Sequence, residues 1–372
     1  MDANLDWSSL LPDVLRVIAR KLPTIKDYIR FRAVCRSWCG AASITGQLVP
    51  REFPWLMFPL SDCAPSLRFL NPQTNDLIYA GSKEEPAALR VVGSSFGWLI
   101  LLGKCSSIFL LNPLTLAKIE LPQLFWRSPG WHYISTERIC LSHSPSEDSN
   151  FVALAILGYP GGILYLKNGD SWWRNVYREA NSEGSTVFVD AVYFRGKICA
   201  IDGQGSLTVF ELSSDHESCS LWNCRQFFPP LNGSMRCLAD VMDDLVLISL
   251  HFVPDLWTNS VSMFRFDWMG RKWDKLDDLK GRCLFLSEGA CSSFSLPSNR
   301  ALGCEENTIY FIYSRVNRCE INDELYGLAR NDVSRDKDYH VAAYSSDSKV
   351  TKPLPFYVPT PYQPLWFTPR LC

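Results

Sequence analysis

Leu67-Arg68-Phe69-Leu70-Asn71-Pro72-Gln73-Thr74 and Ile108-Phe109-Leu110-Leu111-Asn112-Pro113-Leu114-Thr115 are one pattern written twice, with the two Asn-Pro pairs 41 residues apart. In each, a short aromatic–aliphatic run stops at Asn-Pro. Proline cannot donate to a strand ladder, and asparagine closes a turn through its own side chain, so each pattern predicts a strand followed by a tight turn. Comparable turns stand at Lys167-Asn168-Gly169-Asp170, Glu211-Leu212-Ser213-Ser214-Asp215, Asp267-Trp268-Met269-Gly270 and Ser345-Ser346-Asp347-Ser348. Upstream, Pro50, Pro54 and Pro59 bar a helix from Phe53-Pro54-Trp55-Leu56-Met57-Phe58-Pro59. From Phe53 onward the chain therefore reads as β structure.

A second element precedes each turn. A glycine- or acid-marked turn leads into a strongly apolar strand: Phe96-Gly97-Trp98-Leu99-Ile100, Arg195-Gly196-Lys197-Ile198, Asp243-Asp244-Leu245-Val246 and Asn307-Thr308-Ile309-Tyr310, with Phe151 to Leu157 as another such run. One unit repeated about six times at such spacing predicts a β-propeller of four-stranded blades. A β-sandwich or a pair of irregular barrels also accepts imperfect repeats of this kind. The apolar C-terminal Pro361-Tyr362-Gln363-Pro364-Leu365-Trp366-Phe367 is expected to pack near Phe53–Phe58, leaving no open sheet edge.

The N-terminal segment has a different texture. Pro12 suits a first helical turn and Asp13 the positive end of a helix dipole. Leu11, Val14, Leu15, Ile18 and Leu22 recur at helical spacing until Pro23. Thr24 and Asp27 predict a capping box opening a second helix, whose apolar face is Ile25, Tyr28, Ile29 and Phe31. Val34-Cys35-Arg36-Ser37-Trp38 closes the unit. Periodicity alone fits any helical hairpin. The combination of Leu11-Pro12, Ile18, Leu22 and Val34-Cys35-Arg36-Ser37-Trp38 resembles the F-box, the helical module that docks a receptor onto the Skp-family adaptor of a cullin–RING ubiquitin ligase.

That resemblance implies an adaptor-facing surface made of Leu11, Pro12, Leu15 and Ile18, then Val34, Cys35 and Trp38. A module of about 40 residues buries too little surface to be robust alone. Together, Phe53 to Met57, Arg282 to Ser287, Ser293 to Ser295 and Gly303 to Phe311 are similar to plant F-box proteins with a kelch-like, F-box-associated β-propeller. In a kelch-like blade, Trp172, Trp173, Trp222 and Trp273 would be wedges between neighbours. The expected organisation is a flexible start (1–8), an all-α F-box (9–45, a helical hairpin or three-helix module), a linker (46–52) and an all-β propeller of about six kelch-like blades (53–372), with a charged insertion at 314–338.

Composition bounds the function. Net charge is −2, far from the basic balance that draws nucleic acid, so no nucleic-acid partner is expected. Apolar runs are short and the N-terminal one is broken by Asp13, Arg16, Arg20 and Lys21, so neither a membrane span nor a signal peptide is expected. The fourteen cysteines include no Cys-x-x-Cys, which argues against a zinc site and for reduced thiols in the cytoplasm or nucleus. No cofactor is implied. Acidic sets at Asp240/Asp243/Asp244, Asp277/Asp278 and Glu305/Glu306 sit at turns, and Gly203-Gln204-Gly205 reads as a hairpin rather than a phosphate loop. Catalysis is not expected. Two candidate recognition segments remain, the charged 314–338 stretch and the aromatic Phe125-Trp126 to Trp131-His132-Tyr133.

Three functions compete on this reading. The chain is a receptor that brings an unknown protein to the adaptor and its cullin, an F-box scaffold without ubiquitin transfer, or a propeller that binds a small molecule or glycan.

Overall fold

The computed structural model describes residues 7–42, 49–58, 67–80, 90–103, 107–124, 136–158, 162–177, 187–212, 219–224, 234–251, 260–287, 293–314, 338–359 and 364–371. Three helices open it: α1 (Pro12–Arg20), α2 (Ile25–Arg32) and α3 (Arg36–Ala41). Pro12 and Asp13 occupy the first turn of α1, and Asp13 pairs with Arg16 one turn on. The Thr24 hydroxyl accepts the Asp27 N–H at 3.0 Å and donates to the Asp27 carboxylate at 2.7 Å, so the expected cap forms. Leu15, Ala19, Ile25, Tyr28 and Phe31 make the small core, and Trp38 lies 4.5 Å from Phe31 ring to ring.

Six sheets follow. Blade one joins β1 (Trp55–Phe58), β2 (Leu67–Asn71) and β3 (Asp76–Ala80) to the C-terminal β25 (Leu365–Phe367), which pairs Trp366 with Leu56. Blade two is β4 (Arg90–Ser95), β5 (Trp98–Leu102), β6 (Ile108–Leu111) and β7 (Lys118–Leu121); blade three is β8 (Thr136–Leu141), β9 (Val152–Leu157), β10 (Gly162–Lys167) and β11 (Arg174–Tyr177). Blade four is β12 (Phe188–Phe194), β13 (Lys197–Asp202), β14 (Leu207–Leu212) and β15 (Cys219–Cys224). Blade five is β16 (Ser234–Val241), β17 (Asp244–His251), β18 (Ser260–Asp267) and β19 (Lys272–Leu276).

Blade six is the irregular one. It runs β21 (Phe294–Pro297), β20 (Arg282–Leu286), β22 (Thr308–Ser314), β23 (Asp338–Ser345), β24 (Val350–Pro359), with β20 parallel to β22.

Successive blades meet through inner strands: β25 against β4, β4 against β8, β12 against β16, β16 against β21. The cores lie between blades rather than inside one layer. Trp55, Phe69, Leu99 and Leu101 fill the gap between blades one and two, and Phe53, Phe285, Tyr310 and Trp366 fill the gap between six and one. Because each blade is covered on both faces, strands such as β9 are buried along their whole length rather than alternately. The ring closes as the C-terminal sequence predicts: β25 from the chain's end completes the blade begun by β1.

The repeated turns now have places. Phe96-Gly97, Arg195-Gly196 and Met242-Asp243 all have positive φ and make the two-residue hairpins between first and second strands. In blades one to five the turns of the first repeat join the third strand to the fourth, and in blade six the turn joins β23 to β24; residues 213–218 of the blade-four turn lie outside the described residues. Since paired strands run antiparallel, both turn sets project from the same face. The connections after β1, β5, β9, β13, β17 and β22 leave from the other face. Gly203-Gln204-Gly205 is such a hairpin turn, closed by the Asp202 carboxylate on the Gln204 and Ser206 N–H groups at 2.8 and 2.9 Å.

One expectation about the tryptophans fails. Trp273 is buried between blades four and five, and Trp173 donates to the Pro122 carbonyl at 2.8 Å, but Trp172 is 66% exposed and wedges nothing. Its side chain follows a turn without the strand register needed to point it inward. The 315–337 part of the charged stretch and the aromatic 125–133 segment lie outside the described residues.

Candidate functional site

The surface expected to dock an adaptor is built by α1 and α3, which pack side by side. Leu11 and Val34 stand 70% and 57% exposed, and Pro12 is exposed with them. Ile18, Cys35 and Trp38 are half-buried, and the Trp38 indole donates to the Trp7 carbonyl at 2.9 Å. Leu15 differs from the others in the expected set. It is fully buried between α1 and α2, so its side chain supports the module's own core and is not offered outward. The helix boundary explains the split: Leu11 is the N-cap of α1, with extended backbone outside the helix, whereas Leu15 lies inside it beside Ala19 on the stripe facing Ile25 and Tyr28.

Val14 and Val17 take the outward place. Both are exposed, Val17 by 51%, and with Leu11, Val34 and the exposed Trp7 they give this small module a run of uncovered apolar side chains. Five exposed apolar side chains thus stand on the helical module of residues 7–42. The signal was present in the three-residue steps from Leu11 to Val14 to Val17.

The module does not hang on a free linker. Glu52, from the segment expected to be linker, is buried where α2 meets blade one. One carboxylate oxygen accepts the Ile25 N–H at 2.5 Å, one of the donors that a helix start leaves open; the other accepts the Trp55 indole N–H at 2.8 Å and the Asn71 amide at 3.3 Å. Burial holds the Glu52 carboxyl above its ordinary range, the nearby Asp27 adds to this, and the bonds from Ile25 and Trp55 act against it. Leu371 and Leu114, both from the ring, pack into the helical core beside Leu15 and Phe31.

Two of the carboxylates weighed for catalysis close turns, and Asp244 pairs with Lys280 at 2.7 Å. Asp240 accepts the Asp243 N–H at 3.0 Å across the β16–β17 hairpin, and Asp278 accepts the Lys280 N–H at 2.7 Å. Among the described residues no three His, Cys, Asp or Glu side chains gather as metal ligands. The described cysteines are free thiols.

Comparison with known proteins agrees with this architecture. Residues 57–345 match the KIB1-4 beta-propeller family, more than half of the chain. Among Arabidopsis thaliana proteins, F-box protein SKIP23 is 24% identical, with 82% of this chain and 84% of the relative covered. F-box protein At2g05970 is 22% identical over 95% of this chain and 92% of its own length. F-box/kelch-repeat protein At1g57790 is 23% identical over 82% of each. A helical module with an uncovered apolar face, seated on a closed six-bladed ring, thus has relatives along nearly its whole length: this chain is a plant F-box protein whose body belongs to the KIB1-4 beta-propeller family.

Proposed function

We propose that the chain is the non-catalytic receptor subunit of a Skp–cullin–F-box ubiquitin ligase. Its F-box docks on the Skp-family adaptor, and through it a cullin, while the propeller holds the protein to be ubiquitinated. The observation that carries this reading is the uncovered apolar set of Leu11, Val14, Val17 and Val34 on a module otherwise packed tightly to its own ring. Long connections leave the ring at the face opposite the F-box, which supports target binding there.

Co-purification of the full chain with a Skp-family adaptor tests the docking step. Leu11→Asp with Val14→Asp should abolish capture while the melting curve stays unchanged, because neither side chain enters the core. Retained capture in that variant would remove the basis for the assignment. Recovery of the cullin together with polyubiquitination of a bound protein separates a ligase receptor from an F-box scaffold.

A further inference from the structure

The two Asn-Pro turns that repeat in the sequence share a use that the other turns lack. In each, the asparagine Oδ1 closes its own turn: Asn71 accepts the Gln73 N–H at 2.9 Å, and Asn112 accepts those of Leu114 and Thr115 at 3.0 and 3.2 Å. The amide NH2 is left to reach outside the blade's own sheet. Asn71 donates to Glu52, whose other oxygen receives the first N–H of α2. Asn112 donates at 3.0 Å to the carbonyl of Arg370, and the next residue, Leu371, is 3% exposed inside the helical core.

Among the described residues, the equivalent turns elsewhere reach their own or a neighbouring blade and not the F-box: the Arg271 carbonyl accepts from the Cys224 thiol of blade four, and Lys349 donates to the Asp277 carbonyl. Asp267 accepts the Met269 N–H, Ser345 accepts the Ser348 N–H, and Asn168 reaches only the Ser149 carbonyl of blade three. The segment after β25 is held along its course as well. Arg370 pairs with Glu147 at 3.5 Å and lies over the Phe96 ring at 5.7 Å, and Gly97 leaves it room, since a Cβ there would stand 2.7 Å from the Arg370 Cβ.

We propose that Asn71 and Asn112 form a two-point clasp that seats the F-box on the ring and makes its order conditional on ring closure. The strand that closes the propeller, β25, leads directly into Leu371, the side chain that completes the F-box core. A chain whose β25 has left blade one loses that plug and the Asn112 bond together. In terms of the receptor reading, on which this consequence rests, the docking face is then offered only by a chain whose target-holding ring is closed. Asn71 and Asn112 are positioning residues, acting through Glu52 and Arg370.

The experiment uses the full chain. Asn112→Asp keeps the Oδ1 acceptor that closes the turn, removes the N–H donor and sets a carboxylate against the Arg370 carbonyl. Hydrogen exchange of the amides from Leu15 to Phe31 should speed up about tenfold in Asn112→Asp. It should speed up about a hundredfold in Leu371→Ala, which empties the plug and serves if the first variant folds poorly. Asn168→Asp, in the turn that never touches the F-box, should match the wild type. Affinity for a purified Skp-family adaptor should fall in step with the loss of protection.

F-box exchange that stays at the wild-type rate in both clasp variants would overturn the clasp. Faster exchange with unchanged adaptor affinity would overturn the coupling to docking. A wild-type chain that binds no adaptor would sink the receptor reading, and the exchange rates would still decide the clasp.

Discussion

Glu52 is the sharpest point at which to perturb the joint. It is 9% exposed and serves three donors, the Ile25 N–H at 2.5 Å, the Trp55 indole at 2.8 Å and the Asn71 amide at 3.3 Å. Glu52→Ala leaves all three facing a void. Each orphaned buried donor costs about 1–3 kcal/mol, and release of a buried carboxylate returns part of the sum. A net loss of about 3 kcal/mol is expected, roughly 4 °C in melting temperature for a chain of this length. Glu52→Gln keeps the shape but turns an NH2 toward at least one of the three donors, so about 1–2 kcal/mol should be lost.

The pH dependence has a definite sign. Burial raises the Glu52 pKa above its unfolded value, so the native state holds the proton more tightly than the unfolded one. This contribution to stability is therefore fully present below the unfolded pKa and is lost as pH rises through the folded one. Relative to Glu52→Gln, the wild type should lose stability as pH rises through the carboxyl range toward neutrality, and the difference should level off above it. Urea unfolding of both proteins across a pH series measures this. Equal stability of Glu52→Ala and wild type would refute the joint, and a difference that grows with pH would refute the burial argument.

Further outcomes follow from the packing. Leu15→Asp, unlike the exposed Leu11→Asp, should unfold the helical module, detected as lost helical signal before any partner is added, because Leu15 is fully buried. Deleting residues 361–372 removes β25 and the pairing of Trp366 with Leu56, and should lower the melting temperature by more than 10 °C, about the effect of losing several buried aromatics. Gly97→Ala, at φ +83° with its Cβ 2.7 Å from Arg370, should cost about 1–3 kcal/mol in chemical denaturation. Among the described cysteines, alkylation at pH 8 should reach the half-buried Cys35 and Cys39 first and spare Cys199 and Cys237 until unfolding, since burial pushes both of those thiols up to about 12.

How far local pattern reaches can be judged from particular residues. Thr24 and Asp27 announce a helix start because a cap is a contact three residues long, and the structure forms it. Phe96-Gly97 and Arg195-Gly196 announce hairpins because positive φ at two adjacent positions is a local demand. The two Asn-Pro turns and their counterparts show a repeat openly, so a propeller of about six blades is expected without coordinates, while the exact number is fixed by the structure. Where side-chain direction depends on a neighbour, the pattern falls short: Leu15 shares the apolar spacing of Leu11 yet points inward, and Trp172 points out.

What the sequence determined by itself is the kind of each element: an F-box, a ring of repeated four-stranded units, and an apolar C-terminal strand to close it. The helices, the repeated units and the apolar end follow from periodicity, caps and turns, whose energetics are settled within a few residues; the F-box rests on the resemblance carried by Leu11-Pro12, Ile18, Leu22 and Val34-Cys35-Arg36-Ser37-Trp38. Only the tertiary structure decided how the parts are joined. Glu52 reads as an ordinary charged linker residue until Ile25, Trp55 and Asn71 surround it, and Leu371 lies 356 positions from Leu15, with which it shares a core. Contacts across such separations are made by ring closure, which brings the two ends of the chain together in one blade, and no local pattern encodes them.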